Sequence, residues 1–311
     1  MTAQRGIGAV LTRVTIVPRV GPAPDTLRVP VDATELGCVR WRGPVGAPVV
    51  VAVHGITANA WSFGTVAEHL KGEAVLVAVD LRGRGASHDA PEPYGIRSHA
   101  DDVAKVIARL GAAPAVVVGH SMGAHVALMC AERHPDAVAG LVLVDGGPPL
   151  AVDPDKPADE SLDDLLGPAI ARLRKVWPDR VSYHAMWSAH PAFAEGLTPE
   201  MERYVLSDLA PCDGGFRSNV SEEAVRTDGR ELLTDADVRG LFDRHVDRVT
   251  VVRAETGILA VPPPFVDERF VVEYPQHDWR FVPGSNHYSV LFGDAGAAEV
   301  ADGIRRASSP L

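Results

Sequence analysis

Val116-Val117-Val118-Gly119-His120-Ser121-Met122-Gly123 is an apolar, β-branched run that stops abruptly at Gly-His-Ser-Met-Gly. It reads as a buried strand driven into a tight turn. Ala124, Ala127, Leu128 and Ala131 follow at helical spacing, so the order is strand, turn, helix. A G-x-S-x-G motif needs that context, because a serine on a sharp strand-to-helix turn has a strained backbone and presents its hydroxyl at the sheet edge. Side chains at Gly119 and Gly123 would collide with the neighbouring strand and helix. The helix starting at Met122 aims its N–H groups and positive dipole end at the same spot, which suits an oxyanion.

The chain has 311 residues, enough for one core of about 200 residues plus an insertion. With 46% hydrophobic and 23% charged residues it belongs with globular proteins, neither disordered nor membrane-embedded. A net charge of −11 repels phosphate backbones and anionic membrane surfaces, so the expected partner is a small molecule, with no nucleic acid and no membrane. Homodimerisation is left open. Cys38, Cys130 and Cys212 are far apart and lack C-x-x-C spacing, which argues against a disulfide framework and against zinc. Free thiols in a reducing compartment are expected. Met1 to Val20 holds a short apolar phrase straddled by Arg5 and Arg13, with no small-residue cleavage site after it. It reads as a tail, and the protein as cytoplasmic.

Leu27 to Val31 and Leu36 to Trp41 look like an antiparallel pair at a sheet edge. Val49 to Val53, Ala74 to Val79 and Gly140 to Val144 are continuous apolar runs, the pattern of strands covered on both faces. Helical stripes separate them, one from Ser62 and one with Ser98 as its N-cap and Gly111 as its end. The alternation predicts an α/β fold with a mostly parallel sheet and helices on both faces. Ligands of such sheets bind at the carboxyl ends of the strands, where His54-Gly55, Asp80, Ser121 and Asp145 fall.

From Gly146 to His245 the alternation stops, and an inserted helical unit without strands is expected. Pro168 opens one helix with Ala169, Ile170, Leu173, Val176 and Trp177. Tyr183, Met186, Trp187 and His190 fit a second, and Thr198-Pro199 opens a third with Met201, Val205 and Leu209. The sheet resumes at Val249. A loop containing Pro262, Pro263 and Pro264 leads to a last strand, Trp279 to Val282, then Pro283 to Tyr288 and a closing helix capped by Asp294. The division is core 1–145, insertion 146–245 and core 246–311.

A serine hydroxyl needs a neutral imidazole to take its proton and a carboxylate on the far ring nitrogen to fix the tautomer. His54 and His120 sit inside tight turns and suit backbone support, while His184 and His190 belong to the inserted helices. His287, in the loop after the last strand, is the expected base, since the order nucleophile, acid, histidine puts the histidine last.

The chain resembles the α/β-hydrolase family, in its capped branch of esterases and lactone hydrolases. The matching pieces are His54-Gly55-Ile56, Asp80-Leu81-Arg82-Gly83-Arg84-Gly85, Gly119 to Gly123, Leu141 to Asp145 and Pro283 to Tyr288. The resemblance implies an inserted helical cap, no cofactor, and an oxyanion hole from the N–H groups of Ile56 and Met122. It implies a structural role for the Asp80 loop, pinned by Arg82 and Arg84.

In one place the chain departs from the family. The usual Gly-x-x-Asp phrase after the strand following the cap reads Ala254-Glu255-Thr256-Gly257, with glycine where the acid belongs. Two acids remain. Glu255 is two positions early, and Asp145 ends the strand after the nucleophile's, where some dehalogenases and zearalenone-type lactone hydrolases of the family keep theirs. Asp145 is preferred, with Glu255 the alternative and Asp267, Asp278 or no acid at all behind it.

The expected function is a serine hydrolase cleaving an apolar carboxylic ester or lactone, with Trp177, Tyr183, Met186, Trp187 and Phe193 available to line the pocket. A C–C bond hydrolase, lyase or perhydrolase using the same residues is the alternative within enzymes. A small-molecule receptor with vestigial turnover is the alternative outside them.

Overall fold

A computed structural model describes residues 23–153, 155–245 and 249–308, and ten strands organise the described residues. The tail expected over Met1 to Val20 lies outside the described residues. In chain order the strands are β1 (Asp25–Val31), β2 (Thr34–Trp41), β3 (Val49–Val53), β4 (Val75–Val79), β5 (Ala115–His120), β6 (Val138–Val144), β7 (Leu209–Cys212), β8 (Gly215–Ser218), β9 (Thr250–Ala254) and β10 (Asp278–Val282). Eight of them form one sheet in the order β1-β2-β4-β3-β5-β6-β9-β10. β1 and β2 are antiparallel at one edge, and from β4 to β10 every pairing is parallel. β5 lies in the middle with all its residues buried, so both faces of the sheet are covered.

The helices are α1 (Gly64–Leu70), α2 (Ile96–Arg109), α3 (Met122–Arg133), α4 (Ala158–Arg174), α5 (Arg180–Ser188), α6 (Pro199–Ser207), α7 (Glu222–Thr234), α8 (Ala236–Arg239), α9 (Leu241–Arg244), α10 (Arg269–Glu273), α11 (Ser289–Phe292) and α12 (Asp294–Ser308). Alternate strand residues feed two cores, as the period of two requires. Val51, Val53 and Val117 pack with Val103, Ile107 and Leu128 of α2 and α3. Val50, Ala52, Val116 and Val118 face the other way, against Val66 and Leu70 of α1 and Val300 and Ile304 of α12.

Three local expectations differ from the structure. α2 starts at Ile96 rather than after Ser98, because its cap is tertiary: Asp228 accepts the Gly95 N–H at 2.7 Å and Glu231 that of Ile96 at 2.7 Å. Gly95 has φ 108, which glycine tolerates. α4 starts ten residues before Pro168 and runs through it, because burial of Leu162, Leu166, Ile170 and Leu173 outweighs the lost backbone bond. Val176 and Trp177 leave that helix. The segment between β6 and β9 also contains a hairpin, β7–β8, turned by Asp213-Gly214, the two-residue signal for a tight hairpin. Leu209 therefore opens a strand instead of extending α6.

Candidate active site

The turn between β5 and α3 is built as its glycines demand. A Cβ on Gly119 would lie 2.1 Å from the Gly123 carbonyl oxygen, and one on Gly123 would lie 2.1 Å from that of Val53. Ser121 sits between them with φ 56 and ψ −121, a conformation L-residues rarely adopt, held by its N–H donating to Val144 O at 2.9 Å. The strain lifts Oγ out of the strand at the carboxyl edge of the sheet.

One chain-distant group, His287, meets that hydroxyl, and a second, Asp145, meets His287. His287 Nε2 is 3.1 Å from Ser121 Oγ, and His287 Nδ1 is 2.6 Å from Asp145 Oδ2. Asp145, fully buried just past β6, also has positive φ, at 44. Its N–H donates to Val252 O at 2.8 Å and its Oδ1 accepts the Ala254 N–H at 3.1 Å, so β9 fixes the carboxylate. A carboxylate at Nδ1 keeps the proton there and leaves Nε2 free to accept one from serine.

Glu255 is elsewhere. It is exposed and accepts the Gly284 N–H at 2.6 Å, while His287 Nδ1 is taken by Asp145. Asp267 accepts the Arg269 N–H at 2.8 Å, and Asp278 pairs with Arg280 at 3.1 Å.

The other core histidines serve the backbone. His54 Nδ1 donates to Gly55 O at 2.8 Å while Nε2 accepts the Leu81 N–H at 3.0 Å, and burial pushes its pKa down to about 3. His120 Nε2 donates to His287 O at 2.9 Å, and burial, then His287, lower it to about 3. His287 packs against two rings, Phe265 at 4.2 Å and His120 at 4.8 Å between centroids, both tilted.

Above Ser121 opens a cavity of about 520 Å³, walled by the sheet edge below, by α4, α5 and α7, and by the loop after β9. Ile56 and Met122 flank Ser121 on its wall, and Met186 and Trp187 line it as well. Trp177 and Tyr183 do not: they pack edge to face on each other at 5.3 Å behind the wall, with Trp177 bonded through its backbone to Phe216. Phe193 joins the same aromatic cluster.

Two features of the wall lay outside the sequence reading. Arg172 lines the cavity although buried, paired with Asp208 and donating to the Tyr183 hydroxyl at 2.6 Å. It shares a stripe with Leu162, Leu165 and Ala169, so a cation on an apolar helical face was the available signal. The loop from Gly257 to Phe265 supplies much of the mouth, with Leu259 and Val261 exposed there. Its prolines marked it as a loop, but nothing local told which way it folds.

Among the described residues no group of three or more metal-ligating side chains is poised around a metal site, and no helix is long and apolar enough to cross a membrane.

Sheet, turn and relay together define an α/β-hydrolase, and the comparisons agree. The family model for the alpha/beta hydrolase fold matches residues 48–211, and the chain belongs to that family. Among curated relatives it is 27% identical over 250 residues to 2-(acetamidomethylene)succinate hydrolase of Mesorhizobium japonicum, covering 80% of this chain and 84% of that one. It is 33% identical over 205 residues to a pimeloyl-[acyl-carrier protein] methyl ester esterase of Neisseria meningitidis, covering 63% of this chain and 60% of that enzyme. Among solved structures, E-2-(acetamidomethylene)succinate hydrolase superposes with a TM-score of 0.76 at 26% identity, over 91% of this chain and 99% of that one.

Proposed function

We propose that this protein is a cofactor-independent serine hydrolase that cleaves a carboxylic ester or lactone through an acyl-enzyme. The observation that carries the reading is the in-line set Ser121 Oγ, His287 Nε2 and Nδ1, and Asp145 Oδ2 at the floor of a largely apolar cavity. In this mechanism Ser121 Oγ attacks the carbonyl carbon as its proton moves to His287 Nε2. The N–H groups of Ile56 and Met122 take the developing oxyanion. Nε2 then hands the proton to the departing alkoxide as the C–O bond breaks. Water repeats the cycle on the acyl-enzyme and releases the acid, or the hydroxy acid from a lactone. Asp145 holds the tautomer and stabilises the imidazolium.

The segment 146–245 acts as a cap in this reading, between core parts 1–145 and 246–311. Met186 and Trp187 on the wall support an apolar acyl group. A cytoplasmic setting is part of the proposal, supported by three free cysteines, two of them buried.

Arg172 favours a second substrate class, a small ester or amide bearing a carboxylate. The relative whose printed name contains a succinate, matched over most of its length, points the same way. The experiment is turnover of p-nitrophenyl butyrate and p-nitrophenyl hemisuccinate by the wild type and by Ser121→Ala. Hydrolysis abolished in the variant supports the function, and the preferred ester chooses the class. Equal turnover by both proteins, or none by either, contradicts it.

A further inference from the structure

Gly55, Ile56 and Thr57 form the backbone that faces the nucleophile. A Cβ on Gly55 would lie 3.2 Å from Ser121 Cβ. The next two carbonyls are gripped by buried guanidinium groups: Arg84 Nε donates to Ile56 O at 3.1 Å, and Arg172 Nη2 reaches Thr57 O at 3.5 Å. Arg84, wholly buried, also donates from Nη1 to Arg82 O at 2.9 Å.

The counter-ions of both arginines come from the segment between β6 and β9. Asp208 pairs with Arg172, and Asp228 Oδ2 of α7 lies 2.6 Å from Arg84 Nη2. Asp228 is fully buried, accepts the Gly95 N–H at 2.7 Å and meets His99 Nε2 at 2.9 Å. Burial opposes its ionisation, yet Arg84 and His99 beside it hold its carboxyl down at about 2. The contact continues along the chain, where the Ser221 N–H at the start of α7 donates to Gly83 O at 2.8 Å.

A buried ion pair is a poor source of stability, because desolvation cancels much of the attraction. What this one supplies is position. We infer that the Arg84–Asp228 pair is a positioning device: α7, by holding Arg84, fixes the Ile56 peptide against Ser121, so oxyanion stabilisation depends on how the inserted segment seats on the core. The inference rests on the serine-hydrolase reading above. The Ile56 N–H lies in the Gly55–Ile56 peptide, whose carbonyl His54 Nδ1 holds at 2.8 Å. The Arg84 bond to Ile56 O anchors the following peptide, so the residue is held on both sides and cannot turn about its Cα to swing that N–H away from the reacting oxygen.

The test uses the double variant Arg84→Met with Asp228→Asn, which removes both charges while asparagine can still accept from Gly95 and meet His99. Active sites are titrated with a fluorophosphonate, and kcat is expressed per titrated serine. The expected result is a fall in kcat of about 10- to 100-fold with KM changed less than about threefold, and an equal loss of affinity for an alkyl boronic acid that mimics the tetrahedral intermediate. A merely structural pair would lower the melting temperature or the active fraction and leave kcat per serine intact, which overturns the proposal.

Arg84→Lys serves as the companion variant if the double variant does not fold. It keeps the charge facing Asp228, but a single nitrogen cannot also hold Ile56 O and Arg82 O. It should show the same loss of kcat and of boronate affinity, and wild-type values there would overturn the proposal. A wild type that neither takes up the fluorophosphonate nor turns over ester refutes the hydrolase reading and this inference with it. A labelled, active wild type beside an unimpaired variant refutes the positioning role alone.

Discussion

His287 Nδ1 and Asp145 Oδ2 lie 2.6 Å apart, although 142 residues separate them along the chain. The carboxylate comes from the strand next to the nucleophile's, and its second oxygen is held by the Ala254 N–H, so the imidazole meets a fixed partner. In this mechanism Asp145→Asn removes the charge that favours the reactive tautomer, and kcat should fall by roughly 10³- to 10⁴-fold. Glu255→Gln should stay within about twofold, because that side chain only meets the Gly284 N–H in solvent. Steady-state kinetics of the two variants on one ester decide between the acids, and the opposite ranking would refute the assignment.

The Phe265 ring packs against His287 with centroids 4.2 Å apart and planes tilted by 38°, and His120 lies 4.8 Å away. Truncation to alanine should let the ring leave its in-line orientation, lowering kcat about 10-fold, while Phe265→Leu keeps most of the rate. Kinetics on a short-chain ester, where contacts to a long acyl group do not confuse the result, make the check. Equal rates for the two variants would show that the ring contact is idle.

Gly123→Ala places a methyl group 2.1 Å from the Val53 carbonyl oxygen, a backbone atom that cannot swing aside. The expected cost is about 3 kcal/mol of unfolding free energy, read as a lower urea midpoint. An unchanged midpoint would mean that the β3–β5–α3 junction is looser than described.

The folded protein should lose stability as the solution is acidified from pH 7 to pH 5. Burial lowers His54 and His120 to about 3 and His125 to about 4, whereas unfolded imidazoles take up protons near about 6.5. The unfolded state therefore binds more protons below that value, and stability present above it drains away as pH falls. Asp80 opposes this: burial raises it to about 6, so the folded state gains one proton there. Three histidines against one aspartate leave about two protons, on the order of 3 kcal/mol per pH unit at the steepest, and His190 and His277, which burial also lowers, act in the same direction. Urea midpoints measured across that range test it, and a flat profile would contradict it.

What could be read from the residues alone follows a physical divide. Val49 to Val53 and Val116 to Val118 were legible as central strands because both faces of the sheet are buried and local composition suffices. That Asp145 would lie beside His287 could be expected because glycine occupies the family's usual acid position. The start of α2 was not, since Asp228, 133 residues away, caps Gly95. Pro168 misled because side-chain burial along α4 outweighs the lost bond. Trp177 and Tyr183 share the periodicity of Met186 and Trp187, and spacing cannot tell a ring facing a cavity from one facing its neighbours. The Asp213-Gly214 hairpin was announced by its turn and overlooked amid helices.

The central claim is that Ser121 is a nucleophile activated by His287. Intact-protein and peptide mass spectrometry after exposure to an alkyl fluorophosphonate tests it directly. The prediction is one adduct per chain, on the peptide containing Ser121, absent in Ser121→Ala and formed far more slowly in His287→Ala. An unmodified wild type, or an adduct on another residue that survives Ser121→Ala, would contradict it.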